Sequence, residues 1–262
     1  MPLTSILNPP GHAPRLRLAS SSPYRRELLS RLRIPFDVVA PELNETPHSG
    51  EMPEQLSTRL ALAKALAVAV PGTWTIGSDQ VATLDGAPIG KPGNHEAARA
   101  QLLAASGRTM RFHTALALVD PDQGRQRVER IDTVVRFRNL TLAEIDAYLH
   151  AEQPYDCAGA AKCEGLGIAL LDAIEGDDPT ALIGLPLIRL SGWLREWGWN
   201  PLLGPSFGAS SCVSPDAASG ASPNASSGAS SSASSNASSG ASPGASPGAS
   251  SGASLASVTD EP

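Results

Sequence analysis

The sequence predicts an α/β domain, a mixed twisted sheet flanked by helices, followed by a low-complexity tail. Three observations carry this. Short apolar, β-forming runs interleave with segments of helical period, and one long pair of runs is joined by a turn signal that requires an antiparallel hairpin. The composition also changes abruptly at Gly204, beyond which Ala, Ser, Gly, Pro and Asn dominate.

Taken in order, the first β-forming run at 16–19 leads through Ser20-Ser21-Ser22 into a helix predicted over 23–32. Ser22 suits the N-cap and Pro23 the first helical position. A run at 36–40 precedes a helix over 53–70, whose apolar stripe is Leu56, Leu60, Ala63 and Ala67. Runs at 74–76 and 80–84 flank Gly77-Ser78-Asp79-Gln80, which predicts a break between two strands. Asn94 caps a helix over 95–105, and the hairpin pairs 110–119 with 127–138 around Asp120-Pro121-Asp122-Gln123-Gly124. Thr141 with Glu144 forms a capping box for a helix over 142–151. The last helix, over 186–197, ends at Gly198 in a left-handed cap. Because the hairpin is antiparallel while other strands alternate with helices, the sheet should be mixed.

The predicted domain spans 15–203, roughly 190 residues and ample for one substantial core. Residues 1–14 read as a flexible extension, with Pro9, Pro10 and Pro14 and no secretory pattern. In the 204–262 tail, Ala recurs every fourth residue from Ala221 to Ala253, and the segment cannot bury enough surface to offset its chain entropy, so it is expected to be disordered. The formal charge is −6, and the tail's only charged residues are Asp216, Asp260 and Glu261. A mildly acidic domain argues against nucleic-acid binding. No stretch approaches membrane-spanning length, and Cys157, Cys163 and Cys212 make neither a disulfide framework nor a zinc pattern. The expectation is a cytoplasmic protein with reduced thiols.

Three segments carry candidate chemistry. The serine turn at 20–22 opens onto a helix N-terminus next to Arg25 and Arg26, whose guanidinium forks suit phosphate oxygens. A capped helix with two solvated arginines is the plainer alternative. Asp79 stands between apolar flanks, where a carboxylate is seldom needed for packing; beside phosphate and a divalent ion it could orient or deprotonate a water, or ligate the metal, and the residues alone leave those roles open. Lys91 is fixed between Gly90 and Pro92, and Lys64 adjoins an apolar helix stripe, where most lysines merely snorkel. The third segment, 155–167, is a small-residue loop that lets a flat ligand approach its backbone.

With these segments in register, the chain from about Leu16 to Leu203 resembles the Maf family of nucleoside triphosphate pyrophosphatases. The family's Ser-x-Ser-Pro-x-Arg signature appears as Ser20-Ser21-Ser22-Pro23-Tyr24-Arg25, its catalytic aspartate falls on Asp79, and its lysines fall on Lys64 and Lys91. Gly77-Ser78-Asp79-Gln80 and Lys162-Cys163-Glu164-Gly165-Leu166-Gly167 follow the branch that acts on 7-methyl-GTP, whereas the dTTP/UTP branch shows Thr at Gln80 and Gln at Glu164. The resemblance implies a Maf/ITPase-like fold with a deep central cleft, and release of 7-methyl-GMP and diphosphate from 7-methyl-GTP, which removes modified nucleotides from the pool. It implies specificity positions at Tyr24, Gln80 and Glu164. An aromatic face attracts the cationic methylated ring by roughly 0.5–2 kcal/mol, and a carboxylate accepts from the guanine N1–H and 2-amino edge. Ser20, Ser22, Arg25, Arg26, Lys64 and Lys91 would hold the triphosphate. A divalent cation, Mg²⁺ or Mn²⁺, would be held by Asp79 with Glu42 or Glu45, because Asn44 stands where the family commonly places an acid. Family members commonly pair as homodimers. A dTTP/UTP pyrophosphatase, or a nucleotide-binding regulator of cell division, is the alternative reading.

Overall fold

The computed structural model describes residues 14–205, so the predicted tail and nearly all of the N-terminal extension lie outside the described residues. A mixed sheet runs in the order β2-β1-β3-β5-β6-β7, with β4 beside β3. Its strands are β1 (Arg15–Ala19), β2 (Phe36–Val39), β3 (Thr73–Leu84), β4 (Ala87–Ile89), β5 (Thr109–Asp120), β6 (Arg125–Phe137) and β7 (Leu171–Glu175). The helices are α1 (Pro23–Ser30), α2 (Pro53–Ala67), α3 (His95–Ala105), α4 (Leu142–Glu152) and α5 (Leu187–Glu196). A two-residue strand, β8 (Trp199–Asn200), pairs with β9 (Gly204–Pro205), which begins where the composition changes. Among the described residues no helix is long and apolar enough to cross a membrane.

The predicted break at 77–80 is absent. Gly77, Ser78, Asp79 and Gln80 pair in unbroken register with Ala117, Leu116, Ala115 and Thr114 of β5. Turn-type residues occur there because each has a particular neighbour, not because the chain turns. Ser22, Asn94 and Thr141 cap α1, α3 and α4 through their side chains, and the Thr141–Glu144 capping box forms. The N-terminus of α5 lacks a local side-chain cap; the buried Asp178 serves instead, its Oδ2 accepting from the Ile188 and Arg189 amides.

Strand alternation sorts the packing. Leu116 and Leu118 of β5 join a core with α1 and α5, while Met110 and Phe112, of the same parity, join a second core with α3 and α4. The opposite parity, Ala115, Ala117 and Val119, meets α2. Two cores thus sit over different ends of the same strands and leave a cleft between them. On the α2 side the contact is made by small residues. A Cβ at Gly77 would stand 2.1 Å from the Ala61 carbonyl oxygen and 2.9 Å from the Ala65 amide, so only glycine admits the helix backbone this close.

Gly77→Ala should therefore push α2 off the sheet and lower stability by about 3 kcal/mol or more, measurable as a fall in the urea midpoint. An unchanged midpoint would show that the close approach is dispensable.

Candidate active site

β1 lies between its two parallel neighbours, β2 and β3, and ends opposite Gly77, whereas β3 runs on for seven residues. The crevice beyond the carboxyl end of β1 is therefore a switch point of the parallel strands, where ligands of open α/β sheets bind. A cavity of about 290 Å³ occupies it.

One wall is the turn from β1 into α1. The Ser20 hydroxyl accepts from the Ser22 amide at 3.1 Å, and the Ser22 hydroxyl accepts from the Arg25 amide at 3.4 Å, which shapes a tight serine turn around the helix N-terminus. Ser20, Ser22 and Arg25 all line the cavity. Arg25 is anchored by its Nε, which donates to the Gly184 carbonyl at 2.8 Å; the Ser78 hydroxyl donates to the same oxygen at 2.8 Å. Arg26 is exposed and lies outside the cavity lining, because successive helical residues diverge by about 100°.

The floor is an ion-pair cluster. The Lys64 ammonium of α2 donates to Asp79 Oδ1 at 2.6 Å and lies 3.0 Å from Glu45 Oε1. Asp79 is 6% exposed and Lys64 7%. Burial pushes the Asp79 carboxyl above the ordinary carboxylate range, against the opposing charges of Lys64 and Arg25, while the nearby Glu45 adds to the rise. Glu45 lines the cavity; Glu42 is exposed and does not. Asn44 turns its side-chain oxygen to the Thr46 amide at 2.9 Å. Among the described residues no cluster of three His, Cys, Asp or Glu side chains could enclose a metal. Glu45 on the cavity lining, with Asp79 buried beneath Lys64, supplies the hard carboxylate oxygens that suit a divalent ion whose remaining ligands are phosphate oxygens and water.

Tyr24, Gln80, Lys91 and Glu164 also line the cavity. The Tyr24 hydroxyl donates to Asp156 Oδ1 at 3.3 Å, and its phenol is pushed upward chiefly by burial. The Gln80 amide nitrogen is fully engaged, donating to Thr114 Oγ1 at 2.8 Å and to the Ala181 and Leu182 carbonyls at 3.0 Å each. Lys91 is exposed at the cavity mouth, and nearby Gly93 donates its amide to the Tyr155 carbonyl at 2.9 Å.

Sequence reasoning missed Glu152. Its Oε1 accepts from Lys162 Nζ at 2.6 Å and its Oε2 from the Leu166 amide at 2.9 Å, a clamp across the loop that presents Glu164. Gly165 lies beneath it, where a Cβ would stand 2.8 Å from both carboxylate oxygens and displace the Glu152 side chain from the clamp. A glutamate at the end of a helix carried no signal of that role. Cys157 and Cys163 flank the same loop as thiols, pushed by burial to about 11 and about 12.

The family model described as Maf-like protein matches residues 15–197. A protein of Burkholderia lata named 7-methyl-GTP pyrophosphatase is 63% identical over 187 residues, covering 70% of this chain and 89% of that one. A Bordetella pertussis protein of the same name is 58% identical over 197 residues, covering 74% and 98%. The solved Staphylococcus aureus Ham1 protein matches at a TM-score of 0.35 and 17% identity, covering 48% of this chain and 72% of that one.

Lys64→Met removes the main charge that holds the Asp79 carboxyl down, so the Asp79 pKa should rise further above the carboxylate range. A ¹³C NMR titration of the carboxyl carbon checks this; an unshifted or lower midpoint would contradict the assigned coupling.

Proposed function

The chain belongs to the Maf-like protein family, and on that premise we propose that it hydrolyses 7-methyl-GTP to 7-methyl-GMP and diphosphate. The observation that carries the reading is the buried Lys64–Asp79 pair at the floor of a cavity walled by the serine turn and Arg25. Such a cavity offers hydroxyls, a helix N-terminus and three cationic side chains to a triphosphate, and one activated carboxylate to a water.

With Oδ1 bonded to Lys64, Asp79 uses its other oxygen to orient a water and take its proton. A carboxyl whose pKa lies above the usual range is better matched to that task near neutral pH. The water oxygen bonds to the α-phosphorus, the bond from that phosphorus to the bridging oxygen breaks, and the electron pair leaves with diphosphate. Arg25, Lys64 and Lys91 offset the charge on the leaving group. Asp79 and Glu45 are the residues that would hold a divalent cation, Mg²⁺ or Mn²⁺, which would neutralise phosphate charge when bound. On the base, the Glu164 carboxylate accepts from the guanine N1–H and 2-amino groups, and the Tyr24 ring favours the cationic methylated purine. A cytoplasmic homodimer, removing modified nucleotides, belongs to the same reading.

Diphosphate release with Mg²⁺ or Mn²⁺ should be fastest on 7-methyl-GTP when it is compared with GTP, dTTP and UTP. Preference for dTTP or UTP would overturn the base assignment, and no release from any would overturn the enzyme. Asp79→Asn should lower kcat roughly 10²- to 10⁴-fold with KM within a few-fold. Retained turnover would remove Asp79 from the chemistry.

A further inference from the structure

The loop that carries Glu164 keeps its shape through its own backbone. The Lys162 carbonyl accepts from the Gly165 amide at 3.0 Å and the Gly167 amide at 3.1 Å. The Lys162 amide donates to the Tyr148 hydroxyl at 3.0 Å, which in turn donates to the Ala160 carbonyl at 3.0 Å. Gly167 belongs to this arrangement, since a Cβ there would stand 2.5 Å from the Lys162 carbonyl oxygen. None of these bonds uses the Lys162 side chain.

That side chain is nevertheless tied down. Its ammonium donates to Glu152 Oε1 at 2.6 Å, in a pair with only 28% of the lysine and 16% of the glutamate side chain exposed. Tyr148 and Glu152 stand four residues apart on one face of α4, so the helix grips Lys162 both by its backbone and by its side chain. Glu164, by contrast, lines the cavity and makes no hydrogen bond or ion pair among the described residues. It is close to the lysine all the same. The Lys162 ammonium is held above the ordinary lysine range first by its bond to Glu152, and the charge of Glu164 adds to the rise. The Cα atoms of residues 162 and 164 are at most about 7 Å apart, a gap that a lysine and a glutamate side chain together can span. An ammonium that near a free carboxylate pairs with it unless another acceptor holds it.

We infer that Glu152 is a specificity-determining positioning residue: by holding the Lys162 ammonium against α4, it leaves the Glu164 carboxylate open to accept from a purine edge. This rests on Glu164 reading the base. Were Lys162 released onto Glu164, the N1–H and 2-amino group of a guanine would meet an acceptor already engaged. Uracil has no amino group to present there, so its use does not depend on this guard.

The test compares kcat/KM for 7-methyl-GTP and UTP, and calorimetric binding of 7-methyl-GTP without divalent cation, in the full chain and its variants. Glu152→Gln can still accept from the Leu166 amide but loses the charge that holds Lys162. It should lower kcat/KM for 7-methyl-GTP about tenfold, chiefly through KM, with UTP within about twofold. Adding Lys162→Met removes the competing cation and should return 7-methyl-GTP to within about threefold of the wild type, whereas a loop that merely needs the ion pair gains nothing from losing its second half. An unchanged Glu152→Gln, an equal loss on both nucleotides, or no recovery in Glu152→Gln/Lys162→Met would overturn the guard and leave the pyrophosphatase standing. If the wild type binds 7-methyl-GTP without hydrolysing it, the same loss and recovery in Kd would support the guard and sink the pyrophosphatase, and their absence would sink both. A wild type that neither binds nor hydrolyses 7-methyl-GTP would likewise sink both.

Discussion

A lysine and an aspartate buried against each other, where a helix backbone touches a strand with no side chain between them, is the constraint on which the rest of the structure depends. Taking two ions out of water costs several kcal/mol each, and only a close pair with further partners recovers it. Lys64 recovers it with Asp79 at 2.6 Å and Glu45 at 3.0 Å. That geometry needs α2 seated on β3 at the distance Gly77, Ala61 and Ala65 allow, with Ala115 and Ala117 making the rest of the contact. A patch of small residues that buries little apolar area is thus what fixes the floor of the site.

The second determinant is strand length. β1 stops opposite Gly77 while β3 continues, so Asp79 lies just past the last residue β1 can cover. Alternation then divides the labour, with Gly77 and Asp79 facing α2, and Ser78 and Gln80 facing the 181–184 segment on the other side. Four consecutive residues of one strand thereby build the floor and hold the opposite wall.

The sequence made the helices and the long hairpin legible because caps, periodicity and turn chemistry are local. Ser22, Asn94 and Thr141 act where their spacing placed them. The error at 77–80 has a physical cause, since glycine, serine and aspartate mark turns unless a partner elsewhere demands them, and here α2 and Gly184 do. β7 passed unseen because Leu171–Glu175 is short and half exposed, and its pairing with β6 is non-local. Of the candidate side chains, Ser20, Ser22, Tyr24, Arg25, Glu45, Lys64, Gln80, Lys91 and Glu164 line one cavity, with Asp79 bonded to Lys64 beneath them. Arg26 and Glu42 face solvent. Their neighbours in sequence point inward, and adjacency along a chain does not fix direction. Glu152 acts only through Lys162 and the Leu166 amide, ten and fourteen residues on, and composition carries no trace of that.

The bonds of Gln80 bear on how preference for one base could drift into preference for another. Its amide spans to two main-chain carbonyls, Ala181 and Leu182; a shorter side chain such as threonine would withdraw that donor from both, leaving Ala181 held by the Thr114 hydroxyl alone and Leu182 without the bond from this strand. Strand and facing segment are therefore inherited as a unit, and a lineage changing its substrate must rewrite both together or pass through an intermediate whose wall has come loose.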